Sequence, residues 1–309
     1  MTIRQLDRSE LRHIAKAANF RPSAKRGQFY PHDSATVRRV TAACGAHRAD
    51  EVLELGAGLG SVTLALLDKG ARVTAVEPDA ALARQLPHTV AQHSHSEIER
   101  LSVLHGDVTS VLPADLPAEP TIAVANLPAP LVESTLLHLL NEFRALRTVL
   151  VLTEFVLADR VCAEPGGPKY HPFGAKLRYF GAVRRHGAVT PSALWPIPRC
   201  HYGLFGVHRD PRQSRPADAE SRGQVFGLVD IAFAHRRNSA RSAFAAWAGS
   251  GHESAKRLLT ASINPARRAD DLGIGDFVRL QQRSSEFVGE GIDGSPLGRQ
   301  SSPAGGSGR

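Results

Sequence analysis

The run Glu54-Leu55-Gly56-Ala57-Gly58-Leu59-Gly60 follows a short apolar stretch and precedes a helical pattern. Glycines at alternate positions let the chain turn tightly and let a ligand approach the backbone. The spacing is G-x-G-x-G, not the G-x-G-x-x-G of dinucleotide enzymes, and no Gly-Lys-Ser/Thr follows. Nicotinamide and P-loop nucleotide readings lose support accordingly. Glu77 ends the next apolar run, twenty-three residues after Glu54. In a doubly wound sheet that end lies beside the glycine loop, where a carboxylate can accept both hydroxyls of a ribose. Asp107 ends the third run, placed to meet an adenine edge. Together these residues predict a site for S-adenosylmethionine.

A fourth apolar run ends in Asn126-Leu127-Pro128-Ala129. The exocyclic amine of adenine is a poor nucleophile, because its lone pair is delocalised into the ring. Two acceptors for the amine hydrogens favour a pyramidal nitrogen. The Asn126 side-chain oxygen and the Leu127 or Pro128 carbonyl supply such a pair, by position and electrostatics alone. Metal chemistry has little support: His93-x-His95 sits in a polar stretch and no H-E-x-x-H occurs. Nucleophilic catalysis lacks a G-x-S-x-G or a cysteine pattern.

These residues need a scaffold that brings strand ends together. From Asp50, short apolar runs alternate with helical patterns: EVLELG, RVTAVEP, LSVLHGD, TIAVANLP and TVLVLTEF as strands, SVTLALLDKG, part of ALARQLPHTV, and LVESTLLHLLNEFR as helices. That alternation predicts an α/β fold, a parallel sheet with helices on both faces, and the S-adenosylmethionine site read above makes it a Rossmann-like methyltransferase sheet. LRYFGAVRRHGAVTP and RCHYGLFGVHRD read as later strands that close the sheet as an antiparallel pair. Upstream, Leu6, Leu11, Ile14 and Ala18 have helical spacing, RPSAKRGQFYPHD reads as a loop, and Asp33 or Ser34 caps a helix through Val37 and Val40. Four parts follow: a basic N-terminal segment over 1–48, the sheet domain over 49–210, a helical domain over 218–290, and a disordered tail over 291–309, with six Gly, four Ser and two Pro.

The chain has 309 residues, enough for one large and one small domain. Its 42% hydrophobic and 22% charged content excludes a disordered or fibrous protein. It shows no run long enough to span a membrane and no secretory h-region, and its three cysteines are scattered. A cytoplasmic protein with free thiols is expected. Net charge is +8, and residues 1–48 carry ten Lys and Arg against three Asp and Glu. Arg21, Lys25, Arg26, Arg38 and Arg39 form a patch suited to a polyanion such as nucleic acid.

The glycine loop, Glu77, Asp107 and Asn126-Leu127-Pro128 together resemble the ribosomal RNA adenine N6-methyltransferases of the KsgA and Erm type. The resemblance runs from about Lys25 to about Leu280 and includes RGQFYPHD, EFVLADRVCAEPGGPKY, PSALWPIPRC, VDIAFAHRRNSARSAF and INPARRADDLGIGDFVRL. The last two resemble the C-terminal domain of the KsgA branch, the 16S rRNA dimethyladenosine transferases. The resemblance implies that Gln28 meets the methionine part of S-adenosylmethionine, and that Glu54, Gly56, Gly58 and Gly60 belong to its binding loop. It gives Glu77 the ribose, Asp107 the adenine, and Asn126 with Leu127 and Pro128 the target amine. Trp195 falls where the family has an aromatic that grips a flipped base. Lys25, Arg26, Arg236, Arg237 and Arg241 are its candidate RNA contacts. The implied partner is ribosomal RNA or a ribosomal subunit, and a monomer is the default.

The chain departs from the family at two points. The usual NLPY is NLPA, so the stacking aromatic is Ala129, and an Asn of the GQNF loop is Phe29. Base–aromatic stacking contributes roughly 1–3 kcal/mol. Phe29, Tyr30, Phe155 and Phe173 are the candidates to replace it. This marks a divergent member of the family. Two other functions keep the same chemistry: an Erm-type 23S rRNA methyltransferase giving macrolide resistance, and a small-molecule methyltransferase that stacks no base. A non-enzymatic RNA-binding protein would have no use for the intact glycine loop.

Overall fold

The computed structural model describes residues 3–209 and 218–289, with side chains to residue 284. In chain order the strands are β1 (Tyr30–Pro31), β2 (Glu51–Leu55), β3 (Arg72–Glu77), β4 (Leu101–His105), β5 (Ile122–Asn126), β6 (Thr148–Glu154), β7 (Ala182–Val189), β8 (Leu194–Trp195) and β9 (Tyr202–His208). The helices are α1 (Arg8–Ala17), α2 (Ser34–Cys44), α3 (Ser61–Asp68), α4 (Ala80–His93), α5 (Ala129–Glu142), α6 (Phe155–Val161), α7 (Pro172–Phe180), α8 (Ala219–Ala234), α9 (Ala240–Ala243), α10 (Ala245–Ala248), α11 (Gly251–Thr260) and α12 (Ile274–Gly289).

Seven strands form one sheet in the order β4-β3-β2-β5-β6-β9-β7. The first five are parallel, and β9 runs antiparallel to both β6 and β7. The order reverses between β2 and β5, which opens a crevice at their carboxyl ends.

Alternation along the strands divides the core. Val52, Ile122, Val124, Leu150 and Leu152 face a layer that holds Leu64, Leu66, Leu82 and Val90 of α3 and α4. Leu53, Leu55, Ala123, Ala125, Val149 and Val151 face the other layer, with Leu136, Leu139 and Leu140 of α5. The first layer also takes in Leu6, Leu11, Ile14, Phe29, Tyr30, Val40 and Cys44, so residues 3–48 share the core of the sheet domain. A third cluster joins the C-terminal helices to Tyr170, Ala175 and Tyr179. Through α7 that cluster meets the sheet domain. The expected tail over 291–309 lies outside the described residues.

One expectation is corrected. Leu177–Phe180 belongs to α7, not to a strand. Pro172 starts the helix, the His171 side chain accepts from the Phe173 N–H, and Phe173 and Leu177 repeat at helical spacing into the core. A short apolar run has no period of its own to decide between the two. Asp33, not Ser34, is the cap of α2, accepting from the Thr36 N–H at 2.8 Å.

The amino ends of the central strands are clamped by Asp50, 3% exposed. Arg147 donates to its two oxygens at 2.6 and 3.0 Å, the His47 N–H at 2.8 Å and the Thr121 hydroxyl at 3.1 Å. Burial works to raise the Asp50 carboxyl, but Arg147, His47 and Thr121 outweigh it and hold it below the usual carboxylate range. A depressed folded-state value contributes stability that is present above the unfolded value of 3.8 and lost as pH falls through the folded one. Arg147 is 42% exposed, so solvent screens part of the attraction. Replacing Asp50 with Asn is expected to cost about 2 kcal/mol at pH 7, with the difference shrinking in acid; urea unfolding at several pH values measures it.

Candidate active site

A cleft of about 580 Å³ opens at the carboxyl ends of β2, β3, β5 and β6. Its size suits a nucleoside-bearing ligand. Five of its walls matter for chemistry: the loop Ala24–Tyr30, the glycine turn at Gly56, the end of β3 at Glu77-Pro78-Asp79, the strand exit Asn126-Leu127-Pro128, and Glu154 at the end of β6.

The glycine turn is built by contact. Gly56, Gly58 and Gly60 all have positive φ, at 73°, 57° and 93°. A Cβ at Gly58 would lie 2.2 Å from Tyr30 Cε1, and one at Gly56 would lie 3.0 Å from the Asn126 carbonyl oxygen. The turn therefore packs against both the N-terminal loop and the strand exit. Gly27, at φ 65°, makes the third such approach, with a Cβ there 2.5 Å from Pro128 Cβ. Asn126 Nδ2 donates to the Phe29 carbonyl at 3.0 Å and ties the same two segments.

Glu77 is 4% exposed. Its Oε2 accepts from the Gly58 N–H at 2.7 Å and its Oε1 from the Asp79 N–H at 2.9 Å. Burial raises its carboxyl, opposed by those two hydrogen bonds and reinforced by the Asp79 charge. Each oxygen keeps a second lone pair for a hydroxyl donor. Tyr30 lies over Gly58, and burial together with the Glu77 and Asp79 charges pushes its phenol far above the ordinary value.

The remaining predicted residues divide into those at the cleft and those away from it. Gln28, Lys25 and Arg26 line it, and the Gln28 oxygen accepts from the Ser23 N–H at 2.9 Å. Asp107 does not line it. Its carboxylate turns back to the Thr109 N–H and hydroxyl, both at 2.8 Å, which hold it below the usual range. The next residue, Val108, supplies the wall instead. Glu54 points beneath the turn, where its Oε2 accepts from the Thr63 hydroxyl at 2.6 Å. It lies in register with Val124, two residues below Asn126 on the same face, and α3 covers it there.

The RNA-facing candidates are dispersed. Trp195 pairs with Tyr30 across the two-residue ribbon of β1 and β8, half-buried against the first core layer. Arg236 is bonded to Asp270 at 3.1 Å, Arg241 to the Gly251 carbonyl at 3.2 Å, and Arg237 is exposed. Of the aromatics offered in place of a stacking tyrosine, Phe173 is fully buried in the second core layer. Phe29 packs edge-on to Tyr202 and Tyr30 covers Gly58. Phe155 is half-buried, next to Glu154, with the Arg185 guanidinium 5.6 Å from its ring centre. Among the described residues no group of three or more metal-ligating side chains occurs, and no helix is long and apolar enough to cross a membrane.

Sequence reasoning missed Asp79 and Glu154 as cleft residues. Asp79 caps α4 through the Ala81 and Leu82 N–H groups, and a capping residue directly after a strand was a readable signal. Glu154 ends a parallel strand, which is where ligands gather in such sheets.

The seven-stranded order, the glycine turn after β2 and the acidic end of β3 define a Rossmann-like methyltransferase. The structure is similar to that of a dimethyladenosine transferase from Plasmodium falciparum, with a TM-score of 0.69 at 18% identity, covering 85% of this chain and 98% of that one. It is similar also to the 23S rRNA methyltransferase ErmE, with a TM-score of 0.64 at 18% identity, covering 82% and 98%. Sequence similarity reaches further. A ribosomal RNA small subunit methyltransferase A from Mycobacterium sp. (strain KMS) is 55% identical over 93% of this chain and 97% of its own length. One from Mycobacterium avium (strain 104) is 53% identical over 98% of this chain and 96% of its own length. The family described as ribosomal RNA adenine dimethylase matches residues 19–285, and the chain belongs to it.

Two outcomes are expected of these contacts. Gly58→Ala forces a side chain into the Tyr30 ring at a left-handed backbone position, and should weaken S-adenosylmethionine binding at least about tenfold by calorimetry. Glu54 is raised to about 7, first by burial and then by the Glu77 charge, against the Thr63 bond. An acid raised on folding binds more protons folded than unfolded between 4.5 and about 7, so its contribution to stability falls as pH rises through that window. Glu54→Gln keeps an acceptor for Thr63, and its advantage over the parent should grow on the order of 2 kcal/mol from pH 5 to pH 8.

Proposed function

We propose that this chain transfers methyl groups to N6 of an adenine in small-subunit ribosomal RNA, using S-adenosylmethionine. The carrying observation is the fixed amide of Asn126. Its Nδ2 is committed to the Phe29 carbonyl, which sets the amide's orientation and leaves Oδ1 as an acceptor in the cleft wall. The Pro128 carbonyl accepts from the Leu131 N–H at 3.0 Å, while among the described hydrogen bonds the Leu127 carbonyl accepts none. Oδ1 of Asn126 and the carbonyl of Leu127 are then the pair that receives the two amine hydrogens. Pulling both hydrogens to one side frees the lone pair on the other, and preorganised acceptors do this without reorganising.

The donor fits the cleft. Glu77 offers two lone pairs to ribose hydroxyls, Gly56 leaves room beneath, and Pro78 and Val108 give an apolar wall for the adenine ring. Gln28 and the loop around it face the methionine end. When bound, S-adenosylmethionine supplies an electrophilic methyl group on a cationic sulfur. At the mouth, Lys25 and Arg26 meet RNA phosphate, and Arg236, Arg237 and Arg241 extend the contact along the helical domain. Trp195 reaches the RNA from the β1–β8 ribbon. The reading takes the protein to act as a cytoplasmic monomer on ribosomal particles.

Labelled S-adenosylmethionine with unmodified small-subunit particles, free 16S rRNA and free 23S rRNA in parallel, followed by mass mapping, tests this. Label on a small-subunit adenine is expected. Label confined to 23S rRNA would assign a resistance-type substrate, and cofactor binding with no labelled RNA would point to a small molecule. Asn126→Ala should lower turnover about 10²- to 10³-fold with cofactor affinity changed less than about threefold, since Glu77 and Gly56 remain. Unchanged turnover would remove Asn126 from the reaction.

A further inference from the structure

Three carboxylates line the cleft: Glu77, Asp79 and Glu154. Glu77 accepts two backbone N–H groups and keeps its remaining lone pairs for the ribose, and Asp79 caps the first turn of α4 through one oxygen. The Glu154 carboxylate has no hydrogen-bond partner among the described residues, although it is half-buried; its backbone pairs with Tyr202 of β9. Its position is set by the sheet. Asn126 pairs with Leu152 in parallel register, and Glu154 follows Leu152 by two residues. Residues two apart in a strand share a face, so Asn126 and Glu154 stand on the same side, offset by about 7 Å along neighbouring strands. That spacing lets one adenine amine lie between them.

A lone carboxylate is costly there. In a chain of net charge +8 whose mouth is formed by Lys25 and Arg26, it repels the phosphates that the basic groups attract. The reaction gives it a use. As the amine nitrogen bonds to the methyl carbon, the carbon–sulfur bond breaks and its electron pair stays on sulfur. The nitrogen becomes cationic while still bearing both hydrogens. We infer that Glu154 is a catalytic residue of this chain: its carboxylate stabilises the positive charge developing on the adenine N6, then takes one of the two protons and passes it to solvent. Deprotonated again, it is ready for a second methyl on the same nitrogen. The carboxylate also rejects bases that present a carbonyl where adenine presents an amine. This role rests on the adenine reading above.

The test compares the full chain with Glu154→Gln and Glu154→Asp on small-subunit particles, with single-turnover rates from pH 6 to 9, RNA affinity and cofactor affinity measured separately. Glu154→Gln should slow methyl transfer about 10- to 100-fold, with the second methylation slowed at least as much as the first. Glu154→Asp should recover part of the rate. RNA affinity of Glu154→Gln should be equal or higher, because a charge opposed to phosphate has gone; a merely structural role predicts the reverse. A parent-like rate in Glu154→Gln would overturn the inference, as would parallel loss of rate, RNA binding and cofactor binding. If the parent chain labels no RNA, the adenine reading falls and Glu154's role falls with it. If the parent labels adenine and Glu154→Gln keeps pace, only the role of Glu154 falls.

Discussion

The site depends on one buried carboxylate that holds two chain segments. Glu77 ends β3 and receives an N–H from the glycine turn after β2 and another from its own strand exit. A carboxylate removed from water is costly unless its lone pairs are met, and backbone N–H donors meet them without side-chain entropy. The bond to Gly58 fixes the turn at a backbone conformation other residues rarely adopt. With the turn fixed, Tyr30 has a surface to cover and the Asn126 carbonyl has a neighbour at Gly56. The cleft is the space these contacts leave.

The sheet converts sequence spacing into position. β2, β3, β5 and β6 end together, so residues scattered from Gly56 to Glu154 reach one cleft. The N-terminal arm closes the cleft from the far side because its own apolar residues are part of the first core layer. Its position is therefore maintained by burial over a large area, and the single bond from Asn126 to Phe29 only sets the final alignment.

What the sequence made legible follows the reach of each signal. The glycine turn and Asn126-Leu127-Pro128 were readable because residue type and local spacing define them. The parallel strands were readable from alternation of apolar runs with helical patterns. Asp107 and Glu54 show where that reach stops. Both are acidic residues beside a strand end, but Asp107 is folded back by Thr109, and Glu54 sits below the strand end, where the Thr63 hydroxyl of α3 takes its carboxylate. Strand parity does not separate Glu54 from Asn126; the helix packed over it does. Leu177–Phe180 failed for another reason, since so short a stretch, Leu-Arg-Tyr-Phe, fits either period. The replacement of a tyrosine by Ala129 was legible as a change, yet its neighbourhood was not: Phe173 is enclosed, Phe29 and Tyr30 are engaged, and Phe155 stands half-buried beside the cleft.

The hydrogen bond between Asn126 and Phe29, with Gly27 pressed against Pro128, joins the loop Ala24–Tyr30 to the strand exit Asn126-Leu127-Pro128 across the cleft. Two ligands that share a wall are thermodynamically linked. Whatever ordering of that wall one of them induces is free energy the other need not spend, and the gain is identical in both directions. On the proposed reading, cofactor and base are such a pair, and the affinity for each rises by the same factor when the other is bound.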